Sequence, residues 1–245
     1  MLRIASIVAI VTLATSAVAS AQDRLTIGVQ DDAEGVDVLG TFVDSLKLLM
    51  LEHGIRIGFQ EKTRSQLGGN FWGDYRRSVR IPNQWEDTDS WWVNYIGHPI
   101  HGAAAGYIWL DHDRGAPKQI SRDPRYWSSR AKATAWAASY SLQFELGPLS
   151  EASIGNVGMR RETTGWVDHV MTPVGAFGFM VAEDAVDRYL VKWAEQRVGN
   201  PVLRVMIRFA ANPSRTLTNT ASGKYPWHRP DRPLLWRESS LKSTN

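Results

Sequence analysis

Residues 94–113 read NYIGHPIHGAAAGYIWLDHD and predict a helix whose middle is almost bare of side chains. Pro99 suits the first turn of a helix, because a proline there loses no intrahelical hydrogen bond. From Gly102 to Gly106 every residue is glycine or alanine. Since so bare a surface lets another backbone approach closely, we expect this helix to lie at the centre of a helical protein.

A second helix, predicted over residues 172–199, is the expected neighbour. Thr172 can cap its start, Pro173 suits its first turn, and Gly199 ends it. Its small residues share one face, which comprises Gly175, Gly178, Ala182 and Ala185. The uncharged run 170–182 has 13 residues, which is too short to span a bilayer. We therefore expect a core helix whose small face packs against Gly102 to Gly106.

Three further helices and a long loop complete the prediction. Apolar residues recur at a helical period over residues 38–54, an uncharged run covers 133–144, and a short cationic helix lies within residues 200–216. The segment 63–90 has paired glycines and scattered aromatic residues, and is expected to wrap the core with one helical turn near Asp74. The predicted fold is mainly α, a compact helical bundle with long irregular connections and an extended C-terminal tail.

The N-terminus has the pattern of a secretory signal peptide. A basic start, a short apolar core and small residues ending at Ala21 predict cleavage after residues 1–21. The alternative is a retained membrane anchor, for which the apolar core is short. Residues 22–212 are expected to form one helical domain and residues 213–245 a basic tail rich in proline and aromatic residues. With no cysteine in the chain, disulfides and thiolate metal sites are excluded. These features predict a periplasmic protein that can lie at the periphery of a membrane.

Charge is unevenly distributed along the chain. Residues 201–245 carry 8 Lys and Arg against 2 Asp and Glu, whereas residues 22–200 carry 19 against 23. A secreted protein is not expected to meet nucleic acid, so anionic lipid or another envelope polyanion is one expected partner. The acidic body of the same protein is the alternative. The candidate contact residues are Arg204, Arg208, Arg215, Trp227, Arg229 and Arg232.

Several segments carry a family resemblance. They are DYRRSVR, WWVNYIGHPIHGA, SLQFELGPLSEASIGN, VDHVMTPVGAFGFMVAEDAVDRYL and NPSRTLTNTASGKYPWHR. Together, from about His53 to Arg229, they resemble an uncharacterised family of secreted bacterial envelope proteins, one of the numbered domains of unknown function. The resemblance implies an envelope location and no established activity.

A weaker similarity is to VanZ-like envelope helices, in which an acidic residue closes one helix and an aspartate precedes a glycine-bearing helix. The matching positions are Glu145, the loop 148–156, Asp168, Gly175 and Gly178. The chain departs from that pattern because it lacks long membrane spans. The similarity serves only to rank the polar residues as candidates for a functional role.

Three polar residues are the candidates for catalysis: His98, Glu145 and Asp168. Glu145 ends an uncharged helix, where a buried carboxylate needs a partner. It can serve as a general acid or base, or form a structural hydrogen bond. Clustering of the three side chains favours an enzyme, whereas separate pairing with backbone groups favours a scaffold.

Other constellations are weaker. His98 and His101 lie one helical turn apart and could share a metal ion, but the local sequence offers no third ligand, so neither a metal site nor a cofactor is predicted. The acidic residues Glu86, Asp87 and Asp89 are expected to cap a helix and face solvent rather than bind calcium.

A pair formed by Asp168 and His169 with Ser150 or Ser153 as the nucleophile is disfavoured. Adjacent helical residues point about 100° apart and cannot orient each other as a catalytic triad requires. The sequence thus predicts a binding or scaffolding role at a membrane surface. The alternative is a hydrolase or acyltransferase that acts on an envelope lipid or glycan through His98, Glu145 and Asp168.

Overall fold

The computed structural model describes residues 35–67, 71–79, 82, 84–153 and 165–234. The helices are α1 (Val38–Phe59), α2 (Glu61–Gln66), α3 (Phe71–Ser78), α4 (His98–His112), α5 (Pro124–Leu146), α6 (Val167–Val186), α7 (Lys192–Glu195), α8 (Pro201–Ala211) and α9 (Pro213–Ala221). Two π-helical segments, Val93–Gly97 and Asp187–Val191, precede α4 and follow α6. The prediction of a mainly α fold is confirmed. The predicted signal peptide, residues 1–21, lies outside the described residues.

Helix α4 lies at the centre, enclosed by α1, α5, α6 and α9. Ala103, Ala104 and Ala105 are completely buried. A Cβ atom added to Gly102 would lie 2.4 Å from the carbonyl oxygen of Thr172. The predicted close contact between the helices α4 and α6 is therefore confirmed.

The predicted face of α6 is wrong in part. A Cβ atom on Gly178 would meet nothing within 4 Å, and Ala182 is exposed. The residues of α6 that meet the two glycines of α4 are Thr172, Ala176 and Met180. The physical reason is that the side chains of Thr172 and Met180 fill the space beside the two glycines, whereas of the predicted small face Gly175 contacts α4 at Pro99.

The start of α6 also differs from the prediction. The helix begins at Val167, so Thr172 and Pro173 lie inside it. Instead of a threonine cap, the backbone N–H groups of Trp166 and Val167 donate to the carbonyl oxygens of Gln84 and Trp85, at 3.1 and 2.9 Å. A loop distant in sequence thus supplies the bonds that start this helix.

Helix α1 continues through Gly54 to Phe59, although the glycine was expected to end it. An interior glycine costs only about 1 kcal/mol, and the ion pair of Arg56 with Glu151 holds the last turns against the α5–α6 connection. The segment expected to wrap the core contains α2 and α3 rather than one turn, and the Tyr75 hydroxyl donates to the Leu146 carbonyl oxygen at 2.8 Å.

The predicted boundary between the domain and an extended tail at residue 213 is also corrected. Residues Pro213–Ala221 form α9, which packs against α4. The Thr218 hydroxyl donates to the Ala104 carbonyl oxygen at 2.7 Å, so this segment belongs to the core. Irregular structure begins after α9. Among the helices of the described residues, none is long and apolar enough to cross a membrane.

A buried carboxylate joins four helices at the end of α6. Asp184 accepts hydrogen bonds from the hydroxyls of Tyr107 and Tyr126, at 3.1 and 2.8 Å. It also pairs with Arg130 and Arg215, each at 2.5 Å. Because these partners come from α4, α5 and α9, the network fixes the bundle at the end opposite to the candidate site.

Candidate functional site

His98, Glu145 and Asp168 converge in the structure. They come from the start of α4, the end of α5 and the first turn of α6. Their nitrogen and oxygen ligand atoms lie within 4.8 Å of one another. The Nε2 atom of His98 lies 3.3 Å from an oxygen of Asp168, and the three residues are only 6 to 8% exposed. The clustering on which the enzyme alternative depended is therefore present.

Local backbone structure positions each side chain. The His98 N–H donates to the Val93 carbonyl oxygen in the π-helical segment. Since Pro99 has no N–H to continue an α-helical pattern, the wider π turn accommodates it. Glu145 remains in the last turn of α5 because the chain leaves the helix at Gly147. Asp168 lies in the first turn of α6, where the helix dipole favours an anion.

The site disfavours charge on all three groups. Burial raises the pKa of Glu145 to about 7, although the positive charges of His101 and Arg56 oppose this. Burial raises the pKa of Asp168 to about 9, and the negative charge of Glu145 adds to the effect. Burial lowers the pKa of His98 to about 3. In the absence of a bound ligand or ion, His98 and Asp168 are therefore both uncharged where they meet.

Two carboxyl oxygens of the cluster accept no hydrogen bond from the described residues. The Thr172 hydroxyl oxygen lies 3.2 Å from Nδ1 of His98. Oε1 of Glu145 and Oδ1 of Asp168 are buried and have no hydrogen-bond partner in the part of the chain that the structure describes. Such atoms are rare in folded proteins and often mark a place where a ligand, ion or water binds.

Polar residues that the sequence analysis did not single out surround the cluster. Glu52 pairs with His101 at 2.9 Å and accepts a hydrogen bond from the Tyr140 hydroxyl at 2.8 Å. His53 contacts the Leu149 carbonyl oxygen at 2.6 Å. The available signal was a Glu-His pair inside the apolar stretch LLMLEHG of α1.

Asp87 was expected to cap a helix and face solvent, but it is partly buried and has two other roles. Its Oδ1 atom accepts hydrogen bonds from the Asn94 side chain and the Asp89 N–H, at 2.7 and 2.9 Å. It also approaches Asp168 closely enough to raise the pKa of that carboxyl. The acidic segment therefore adds negative charge to the cluster.

In the other constellations, which the sequence disfavoured, the side chains have different partners. His101 faces Glu52, and its ring lies 6.0 Å from that of His98. Ser153 bonds to Ser150 within the same turn, donating from its hydroxyl to the carbonyl oxygen at 2.8 Å. The prediction of no metal site considered only ligands near His98 in sequence, whereas α5 and α6 bring Glu145 and Asp168 to it.

An aromatic patch lies beside the cluster. Its exposed residues are Trp85, Trp91, Trp92 and Trp166, which are 44 to 69% accessible. Tyr95 joins them, because it accepts a hydrogen bond from Trp85 at 3.0 Å and stacks against Trp91. The patch is next to the site because Asp168 follows Trp166 by two residues in α6. Exposed clusters of this kind mark interaction surfaces.

The cationic residues predicted to contact a membrane mostly bind the protein itself. Arg208 and Arg229 are buried and pair with Glu195 and Asp187. Arg215 pairs with Asp184, and Arg232 with Asp187 and Glu195. The prediction of lipid contact is wrong for Arg208 and Arg229, because burial against carboxylates removes them from the surface. Arg215 and Arg232 are partly exposed, and for these two it stays a prediction. For all four the alternative, docking onto the acidic body, is what the structure has.

The two remaining candidates are half-buried. Arg204 donates from Nε to the Val198 carbonyl oxygen at 2.5 Å. Trp227 stacks on Tyr225 with ring centroids 5.4 Å apart. Neither is presented as a free cationic or aromatic anchor.

Comparison with known proteins adds no relative, since no protein family, curated protein or solved structure matches the chain. The resemblance to secreted envelope proteins therefore stays a prediction.

Proposed function

We propose that the protein is a hydrolase of the cell envelope whose active centre is the cluster of His98, Glu145 and Asp168. The observation that carries the proposal is the convergence of three buried polar side chains from three helices, with ligand atoms within 4.8 Å of one another. A purely structural role would give each carboxyl oxygen a hydrogen-bond partner, but Oε1 of Glu145 has none among the described residues, and the Asp168 oxygen that lacks a hydrogen bond there is Oδ1, which faces His98 at 3.3 Å.

The chemistry available to the cluster is activation of water. Two carboxyl groups and an imidazole at this spacing can hold a water molecule, orient it and accept its proton. Addition of water across an ester bond yields an acid and an alcohol, with the proton passing to the alcohol oxygen. No serine or cysteine nucleophile is needed.

The proposed substrate class is an envelope lipid ester. The aromatic patch next to the cluster supports this choice, because tryptophan and tyrosine side chains favour the interface between water and lipid. An amphiphilic substrate could contact these rings with its apolar part while its polar ester reaches the buried cluster.

Incubation of the purified protein with vesicles of phosphatidylglycerol and phosphatidylethanolamine tests the proposal, with mass spectrometry of the products. We expect release of a fatty acid or a head group. Glu145→Ala should reduce the rate by roughly 100-fold or more, the usual contribution of an acid–base group. Asp123→Asn, at an exposed helix cap remote from the cluster, should retain the rate. Equal rates for Glu145→Ala and the unmodified protein would refute the proposed active centre.

A binding or scaffolding role at a membrane surface is the second candidate function. The observation in its favour is the exposed apolar face of α8, where Val202, Leu203, Met206 and Phe209 are 48 to 63% accessible. Co-sedimentation with anionic vesicles tests it. Met206→Asp with Phe209→Asp should abolish binding, whereas Val174→Asp, at a similarly exposed position on α6, should not. Unchanged binding by the double variant would exclude α8 as the contact.

A further inference from the structure

We infer that His98, Glu145 and Asp168 bind one divalent transition-metal ion, of which Zn²⁺ is the representative. The inference deepens the proposed hydrolase, and it rests on that proposal only for what the ion would do in catalysis. The site itself follows from the geometry, charge and hydrogen bonding of the cluster.

The spacing of the ligand atoms fits a tetrahedral ion. Two ligands that each lie about 2.1 Å from such an ion are about 3.4 Å apart. Nε2 of His98 and the oxygen of Asp168 are separated by 3.3 Å, and Glu145 completes a set within 4.8 Å. Only a small movement of Glu145 is needed to bring all three atoms to one ion.

The concentration of carboxyl groups in the cluster also favours binding of a cation. The cluster buries Glu145 and Asp168, with Asp87 close to Asp168. The nearest positive groups already have carboxylate partners, because Arg56 pairs with Glu151 and His101 with Glu52. Two buried carboxylates at this distance are costly unless a proton or a cation compensates their charge. A divalent ion compensates both at once.

The surroundings of His98 match those of a metal-bound histidine. Such a histidine donates its second ring N–H to a fixed acceptor, which sets the tautomer and the orientation of the ring. Here Nδ1 of His98 lies 3.2 Å from the Thr172 hydroxyl, which leaves the Nε2 lone pair directed toward Asp168. The complementary ligand oxygens are Oδ1 of Asp168, which faces Nε2 of His98, and Oε1 of Glu145, which has no hydrogen-bond partner among the described residues.

The donor set selects the class of ion. An imidazole nitrogen with two carboxylates suits zinc and other transition metals, whereas calcium and magnesium prefer oxygen ligands only. Three protein ligands leave one position of a tetrahedral ion for water. An ion at this position would lower the pKa of that water and supply the nucleophile for ester hydrolysis.

Isothermal titration of the metal-free protein with Zn²⁺ tests the inference, with Mg²⁺ and Ca²⁺ in parallel titrations. We expect one Zn²⁺ per chain, an increase in the thermal midpoint, and weaker binding of the other two ions. Asp168→Asn and His98→Ala should each weaken Zn²⁺ binding by roughly 100-fold or more. Thr172→Val should weaken it by about 10- to 100-fold, whereas Thr218→Val, a buried threonine on α9, should leave it unchanged.

The outcomes separate the metal site from the proposed function. Absence of Zn²⁺ binding by the folded protein, or equal affinity in Asp168→Asn, would overturn the metal site, whereas full lipid hydrolysis after removal of all metal with EDTA would refute the role of the ion in catalysis. Stoichiometric Zn²⁺ binding without lipid hydrolysis would support the site and refute the hydrolase. If Asp168→Asn fails to fold, the titration of the unmodified protein and of Thr172→Val still decides the question.

Discussion

At the scale of single residues, the cluster combines charge crowding with incomplete hydrogen bonding. Oε1 of Glu145 is buried without a hydrogen-bond partner in the described chain, and Oδ1 of Asp168 has the 3.3 Å contact with His98 but no hydrogen bond of regular geometry there. Their proximity makes ionisation of both unfavourable in the absence of a cation. A protein stabilised only by burial and ion pairs would not gain from this arrangement, which supports a role in ligand binding or catalysis.

Replacement of one of these carboxyl groups should stabilise the metal-free protein. In EDTA, Glu145→Gln is expected to increase the free energy of unfolding by about 1 kcal/mol, because the amide keeps the shape of the side chain and removes the cost of ionising a buried carboxyl. For a domain of this size the thermal midpoint should rise by about 2 to 4 °C. Scanning calorimetry provides the measurement, and Asp123→Asn, whose side chain still caps α5, should not shift the midpoint. A fall in the midpoint of Glu145→Gln would mean that its carboxylate is a stabilising partner.

The sequence was informative about which residues belong to the site and uninformative about their surroundings. Glu145 could be identified because a single charge ends a long uncharged run. Glu52 and Arg56 could not be assigned, because their roles depend on contacts with His101 and Glu151 from other parts of the chain. Pairings over such distances leave no periodic signal in the sequence.

At the scale of helices, the contact between α4 and α6 sets the position of His98 relative to Asp168. The small residues of α4 made this contact predictable. The residues of α6 that form it were predicted only in part, because Gly175 contacts Pro99 but a Cβ atom on Gly178 meets nothing. The helix was expected to start at Thr172 and to present its glycines. The true start depends on the carbonyl groups of the loop at Gln84 and Trp85, which local sequence rules do not include.

Two alanine substitutions measure this packing. Gly102→Ala should destabilise the protein by about 1 to 3 kcal/mol, because its Cβ atom would overlap the Thr172 backbone. Gly178→Ala is the matched control on α6. It should be neutral or stabilising by up to about 1 kcal/mol, since its Cβ atom meets nothing and alanine favours helix. Equal effects of the two substitutions in urea denaturation would contradict the contact.

The contact between α1 and α4 should make stability depend on acidity. Burial alone would raise the pKa of Asp44, but hydrogen bonds from His112, Lys47 and Ser222 outweigh it and hold the pKa well below its usual value. A carboxyl with a lowered pKa contributes stability above its unfolded pKa of about 3.9, and that contribution is lost as the pH falls toward the folded pKa.

The free energy of unfolding should therefore fall steeply between about pH 4 and pH 2. Asp44→Asn should be less stable at pH 6 and should show a shallower decline over the acidic range. Urea denaturation at a series of pH values measures both slopes. Parallel curves for the two proteins would show that Asp44 does not contribute to acid sensitivity.

At the scale of the whole molecule, the basic C-terminal region is bound to an acidic surface formed by residues 183–195. Arg229 donates to Asp187 and to the Asn212 side chain, both at 2.8 Å. The excess of positive charge beyond residue 200 was visible in the sequence, and docking onto the body was one of its two interpretations. That α9 belongs to the core was not visible, because its residues PSRTLTNTA are mostly polar and bond to backbone and side-chain groups of other helices.

Arg229→Met tests how much this docking stabilises the fold. Removal of one partner from a buried ion pair should lower the free energy of unfolding by about 3 to 5 kcal/mol, because Asp187 loses one of the positive charges that compensate its own. The control is Arg125→Met, whose arginine is exposed and pairs with the neighbouring Asp123. It should change stability by less than about 1 kcal/mol. Similar losses of stability for both variants in chemical denaturation would show that the buried ion pair stabilises the fold no more than the exposed one.

The central claim is that three helices bring His98, Glu145 and Asp168 together as one reactive centre. A crystal structure of the protein crystallised with Zn²⁺ tests this directly. Anomalous scattering at the zinc edge locates the ion. We predict a single strong anomalous peak about 2.0 to 2.2 Å from one ligand atom of each side chain. The claim would be contradicted by an absence of zinc at this position together with the three side chains lying apart, each hydrogen-bonded to its own backbone partner.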